Sequence, residues 1–113
     1  MNNDPVSIAS SANITTRDTR SGMKNPPPIY AVCSESVECI GPDAEPELLT
    51  RHTASIEYYT KNNNAAAKAA AAALESAMSA AELAWSKSER IWIEEEQIFQ
   101  TVYSYTYLQK KGN

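Results

Sequence analysis

Apolar positions along the chain group into separate blocks, and the period changes from block to block. The longest block begins at Ala65 and runs through an alanine tract broken only by Lys68. Its large residues, Leu74, Met78, Trp85, Trp92, Phe99 and Tyr103, fall on one helical stripe. Beside it lies the row Ala70, Ala77, Ala84, Ile91, Ile98 and Tyr105, spaced by seven throughout, and a third row takes in Ala67, Leu74, Ala81, Ser88, Glu95 and Val102. Such a stripe marks a core-facing or bundle helix. Alanine is the strongest helix former, and neither Gly nor Pro interrupts residues 65–99. The pattern predicts one long amphipathic helix over about 64–110, whose 65–99 part spans roughly 50 Å at about 1.5 Å per residue.

A shorter block precedes it. Leu48, Leu49, His52, Ile56 and Tyr59 recur at helical spacing after Asp43, Glu45, Pro46 and Glu47, which suit a helix entry. This predicts a helix over about 46–60. Asn62, Asn63 and Asn64 disfavour helix and accept capping or left-handed conformations. They read as a turn joining two antiparallel helices, with Asn64 capping the second; the other reading is a single unbroken helix. Upstream, Ile29–Cys33 and Ser36–Ile40 are two brief apolar runs, with Gly41 and Pro42 stopping the second. They read as a strand-like or irregular segment over 29–42, with a short β-hairpin as one form it can take. Residues 1–28 show neither apolar period and end in Pro26, Pro27 and Pro28, which predicts an extended or disordered arm. Tyr103, Tyr105 and Tyr107 alternate with period two, so 101–108 reads either as the end of the long helix, the preferred reading, or as a strand. The fold class expected is mainly α: a helical hairpin dominated by the long Ala-rich helix, with an N-terminal arm whose removal up to Lys24 leaves helix content intact.

Composition narrows the function. With 113 residues the chain makes at most one domain, and much of its 42% apolar content is alanine. Few large side chains are available for a core, which favours burial against another chain. The net charge is −4, distributed as +1 over 1–28, −5 over 29–57 and 0 thereafter. No cluster of Lys and Arg invites a phosphate backbone, so no nucleic acid is expected. Residues 1–11 lack an apolar signal core, and Lys68, Glu75 and Glu82 interrupt the alanine tract, so neither secretion nor a membrane span is expected. A cytoplasmic or virion location follows, with Cys33 and Cys39 as free thiols.

Candidate chemistry is thin. Cys33 and Cys39 are spaced too widely for an ordinary zinc pair, and His52 is the sole histidine. His52 has no nucleophile or carboxylate in a catalytic spacing. Glu94, Glu95 and Glu96 point in different directions on a helix. Three glycines, Gly22, Gly41 and Gly112, build no phosphate loop. No metal, cofactor or catalytic residue is therefore expected, and the protein reads as a non-enzyme. In composition, a polar arm, a proline hinge and an Ala-rich helix resemble small structural or accessory proteins of phages; no motif accompanies that resemblance.

The function expected is structural: association with itself or with a larger assembly. The contact would be a seam of small residues, Ala70, Ala77, Ala81 and Ala84, passing into Trp85, Ile91, Trp92, Ile98, Phe99 and Val102, with Glu95 set into the stripe. Small residues let a partner backbone approach closely and large ones push it away. The alternative is a small acidic inhibitor or immunity-type protein using Glu35, Glu38, Asp43, Glu45, Glu47 and Glu94–Glu96 against a basic site. Steep loss of affinity with salt would mark the inhibitor, and indifference to salt the seam.

Overall fold

The computed structural model describes residues 3–17, 27–40 and 49–110. Two helices rest on one face of a six-stranded sheet. The elements in chain order are α1 (Pro5–Ser11), β1 (Thr16–Arg17), β2 (Ile29–Ile40), β3 (Leu49–Thr60), α2 (Ala65–Ala80), β4 (Trp85–Lys87), β5 (Ile91–Ile93) and β6 (Ile98–Lys110). The sheet order is β1-β2-β3-β6-β4, with β5 also on β6, and every pairing is antiparallel except β1 with β2. The molecule measures 50 × 29 × 21 Å.

This overturns the helical hairpin. The region from Leu49 to Thr60 is a strand, not a helix. Thr50, Thr53, Ile56, Tyr58, Tyr59 and Thr60 are β-branched or aromatic, and Ala54, Ile56 and Tyr58 alternate onto the helix-covered face. The proposed helix entry at Asp43–Glu47 lies outside the described residues. The long helix is also corrected: it stops at Ala80 instead of continuing to about residue 110, and 85–110 forms β4, β5 and β6. The stop is a backbone motif without a glycine. Glu82 takes a left-handed conformation at φ 60°, and Leu83 N–H bonds back to Met78 C=O at 3.0 Å. That is the Schellman arrangement, with Leu83 tucked against the core. α1 ends the same way, with Asn13 at φ 62° and Ile14 N–H on Ala9 C=O.

Local chemistry does set α2. Asn64 caps it, its side-chain oxygen accepting from Ala67 N–H at 3.0 Å, and Lys61–Asn64 forms the loop between β3 and the helix. Leu74 and Met78 are fully buried beneath it, and Ala67 nearly so. α1, capped by Asp4 onto Ser7 N–H, adds Ile8 and Ala9, and Ile14 follows. The sheet contributes Ala31, Ala54, Ile56, Tyr58, Tyr103 and Tyr105 to the same core. Residues 3–17 are thus packed structure, not an arm; 18–26 lie outside the described residues.

The opposite sheet face has a different character at each end. Near the start of β6 a second cluster buries Tyr30, Val32, Tyr59 and Ile98, with Tyr30 stacked on Tyr59 at 5.1 Å. Further along, the register sets Ser34, Ser55, Ser104 and Ser86 in one row across four strands, followed by Ser36, Thr53 and Thr106. The sheet then runs on past the helices to a tip where Leu49 and Leu108 are exposed. Cys33 and Cys39 both lie on β2, six residues apart and so about 20 Å along the strand, which rules out a disulfide across a hairpin between them.

Candidate docking surfaces

β4 and β5 act as one interrupted edge strand along β6. Lys87 pairs with Tyr103 and Ile91 with Gln100, so three residues on the edge face two on β6. The extra residue makes a bulge, and Ser88 heals it. Its N–H donates to Val102 C=O at 2.8 Å, and its hydroxyl accepts Val102 N–H at 3.0 Å. Bulges re-aim the side chains beside them. Here Lys87 and Arg90 are set on the rim of a groove between this edge and the first turns of α2.

The groove encloses about 280 Å³. Tyr58, Tyr103 and Phe99 supply aromatic walls, Ala67 and Ala71 a small-residue wall, and Lys68, Lys87 and Arg90 its cations. Tyr58 donates to Ala67 C=O at 2.6 Å, tying sheet to helix. Tyr103 donates to Glu75 at 2.7 Å, and Lys87 pairs with the same carboxylate at 2.9 Å. Burial alone would raise Glu75, but these hydrogen bonds and the Lys87 charge outweigh it and hold the carboxyl below its usual range. Burial pushes the Tyr58 phenol up to about 12. Burial, reinforced by Glu75, pushes Tyr103 higher still. Arg90 lies over the Phe99 ring at 5.1 Å. Among the described residues Lys68 has no carboxylate within ion-pair distance.

Beyond the groove, β5 and β6 close a hairpin through Glu94–Gln97, with Gln97 left-handed at φ 54°. Ile91 is 50% exposed and Trp92 43% exposed, on opposite faces of that hairpin. Trp92 packs against Phe99 at 4.8 Å. The hairpin thus presents one large apolar side chain on each face, with Glu94 beside Trp92 and accepting from its indole N–H at 3.3 Å.

A third cluster joins the N-terminal segment to the sheet extension. His52 stacks on Tyr107 at 4.6 Å, with Nε2 2.8 Å from Thr50 Oγ1. Thr50 gives its proton to Gln109 C=O, so it accepts from His52 Nε2–H. Nδ1 then faces Glu35 Oε2 at 3.3 Å, and the same carboxylate oxygen accepts from Tyr107. Tyr105 donates to the Asn3 carbonyl at 2.5 Å. These contacts fasten one end of the chain to the other. The hydroxyl beside His52 is that of Thr50, whose proton goes to Gln109 C=O and not to the imidazole, and no group of His, Cys, Asp or Glu among the described residues is placed to hold a metal ion.

The residues expected to form an interface separate into three environments. Ala70, Ala77, Ala81 and Trp85 pack partly buried against the main core. Ile98 is buried in the second cluster, while Phe99 and Val102 are half-buried on opposite faces of β6. Ala84, Ile91, Trp92 and Glu95 are exposed. The single stripe dissolves because residues seven apart share a helix face but lie on opposite faces of a strand. The groove cations Lys68, Lys87 and Arg90 were not singled out. They are scattered in sequence, and only the bulge at 88–90 and the crossing of α2 bring them together.

Two helices on one face of a mostly antiparallel sheet define a small α+β domain. The whole architecture is similar to a chain in the solved virion of the native gene transfer agent (GTA) particle. The TM-score is 0.63 at 18% identity, covering 96% of this chain and 87% of that one, a likeness of fold. No protein-family model matches the sequence, and no curated protein does.

Proposed function

We propose that the protein is a non-enzymatic structural subunit of a phage-like particle, held in place by contacts with copies of itself or with larger neighbours. The observation that supports this reading is the extent of the fold likeness, which reaches 96% of the chain. The surface supports it. The β5–β6 hairpin exposes Ile91 and Trp92 beside Glu94 and Glu95, as an anchoring contact does: a large apolar side chain with a polar rim. Ala70, Ala77 and Ala81 then serve chiefly to seat α2 on the sheet, and Trp92 takes over as the contact residue.

The test uses density-gradient particles from cells that make the protein. Mass spectrometry is expected to find it at a fixed ratio to the main shell protein. Trp92→Ser is expected to fold as the wild type does and to drop out of the particles by at least about tenfold, the scale of one lost hot-spot residue. Absence of the wild-type chain from such particles would sink the reading.

A further inference from the structure

We infer that the β5–β6 hairpin of one copy of this chain seats Trp92 in the groove between α2 and the β4–β5 edge of a second copy, which returns the same contact; this rests on the assembly reading above and names its partner. Trp92 is paired with Phe99 across the hairpin, and cross-strand partners share a face. Phe99 in turn lines the groove, together with Thr101 and Tyr103. The indole therefore stands on the groove side of the sheet, and Phe99 belongs to both hairpin and groove. Trp92 packs on Phe99 at 4.8 Å but is not itself part of the groove lining. It is 43% exposed, and it is the one aromatic among the exposed large apolar residues of the described chain. The groove is shaped for such a ring: about 280 Å³, with Tyr58 and Phe99 as aromatic walls and Ala67 and Ala71 as a small-residue wall that permits close approach.

Charge points the same way. In the groove, Lys87 is engaged by Glu75 and Arg90 lies over Phe99. Lys68 is exposed and has no carboxylate within ion-pair distance among the described residues. On the hairpin, Glu94 is taken up by Trp92 and Gln97. Glu95 is exposed and has no cation within ion-pair distance among the described residues. Each copy thus carries an uncommitted cation on its groove and an uncommitted acid on its hairpin, which is the complement a second copy offers. Lys68 would meet Glu95 of the second copy and lie beside the incoming indole, an attraction of cation for ring as well as for carboxylate. Hairpin and groove adjoin through Phe99, so a hairpin that enters a neighbour's groove brings its own groove up to the neighbour's hairpin. The patch is self-complementary, and the contact closes at two copies about a two-fold axis.

Sedimentation equilibrium with purified full-length protein tests this. The wild type is expected to rise with concentration from the monomer mass to twice that mass and to level there. Lys68→Glu and Glu95→Lys, made singly, each set like charges against each other at both symmetric contacts and are expected to weaken the dimer by at least about tenfold. Combined in one chain, the two substitutions exchange the charges and are expected to restore the dimer. Trp92→Ser is expected to stay monomeric. All of these variants are expected to keep the wild-type circular dichroism, because Lys68, Trp92 and Glu95 are exposed and lie outside both core clusters. A wild type that stays monomeric, a mass that grows past two copies, single charge variants that dimerise as the wild type does, or a double variant that fails to recover would each overturn the contact. Any of these leaves the particle reading standing, because that reading is decided by presence in particles.

Discussion

At the scale of single residues, the tyrosines carry more of this structure than any other side chain. Tyr58, Tyr103, Tyr105 and Tyr107 line one face of the sheet, and each hydroxyl has a named acceptor: Ala67, Glu75, Asn3 and Glu35. Burial is the leading cause that raises all four phenols above their ordinary value of 10.0, Tyr58 to about 12 and the others further. A raised pKa in the fold means that the neutral form is favoured there. The stability these groups contribute is complete below about pH 10 and is lost as pH rises from there through their folded values. Alkaline titration followed at 295 nm should therefore show these four ionising together with unfolding by circular dichroism; independent ionisation near pH 10 in a folded chain would contradict the packing. Glu75 has the opposite sign. Its contribution is present above the ordinary carboxylate value and fades as pH falls through its lowered folded value. Cys33, raised by burial to about 11, stays a protonated thiol at neutral pH. The alternation of Tyr103, Tyr105 and Tyr107 was the clearest strand signal in the sequence. It was outweighed by a heptad pattern that continues through it by coincidence.

At the scale of elements, α2 was legible because propensity, the Asn64 cap and the loop of asparagines agree with the tertiary structure. What the sequence hid were the reversals. Asn13, Glu82 and Gln97 all take positive φ, two ending helices and one turning the β5–β6 hairpin. Only Asn13 is a residue that commonly does so. At Glu82 the backbone geometry is imposed by burial of Leu83 next to it, a cause that lies outside the local sequence. Glu82→Gly should relieve that strain and stabilise the protein by about 0.5–1 kcal/mol, net of glycine's larger unfolded-state entropy. Urea midpoints are the measurement. A loss of stability would mean that Glu82 makes contacts that outweigh its backbone cost. β3 was missed for a related reason: Leu49, His52, Ile56 and Tyr59 fit a helical period by chance, while the pairing of all twelve residues with both β2 and β6 is long-range.

At the scale of the whole molecule, the two ends of the chain share one core. Ile8, Ala9 and Ile14 are buried with Tyr105, Leu74 and Met78, and Tyr105 reaches back to Asn3. Deleting Met1 to Lys24, which the composition of an arm would make harmless, should instead abolish cooperative unfolding and lower the helix signal beyond the loss of α1 itself. Retention of a sharp urea transition would show that α1 is dispensable. The docking surfaces were only half visible in the sequence: Trp92 and Ile91 stood out by size, but the cationic groove exists only once α2 crosses the β4–β5 edge. The rows of Ser34, Ser55, Ser104 and Ser86 and of Ser36, Thr53 and Thr106 have a consequence at this scale too. Hydroxyls this dense hold their water, and stripping it away is unfavourable unless each finds a new partner. A partner that covered these rows would have to offer each hydroxyl a hydrogen bond or leave a layer of water between, so this side of the sheet disfavours a dry contact.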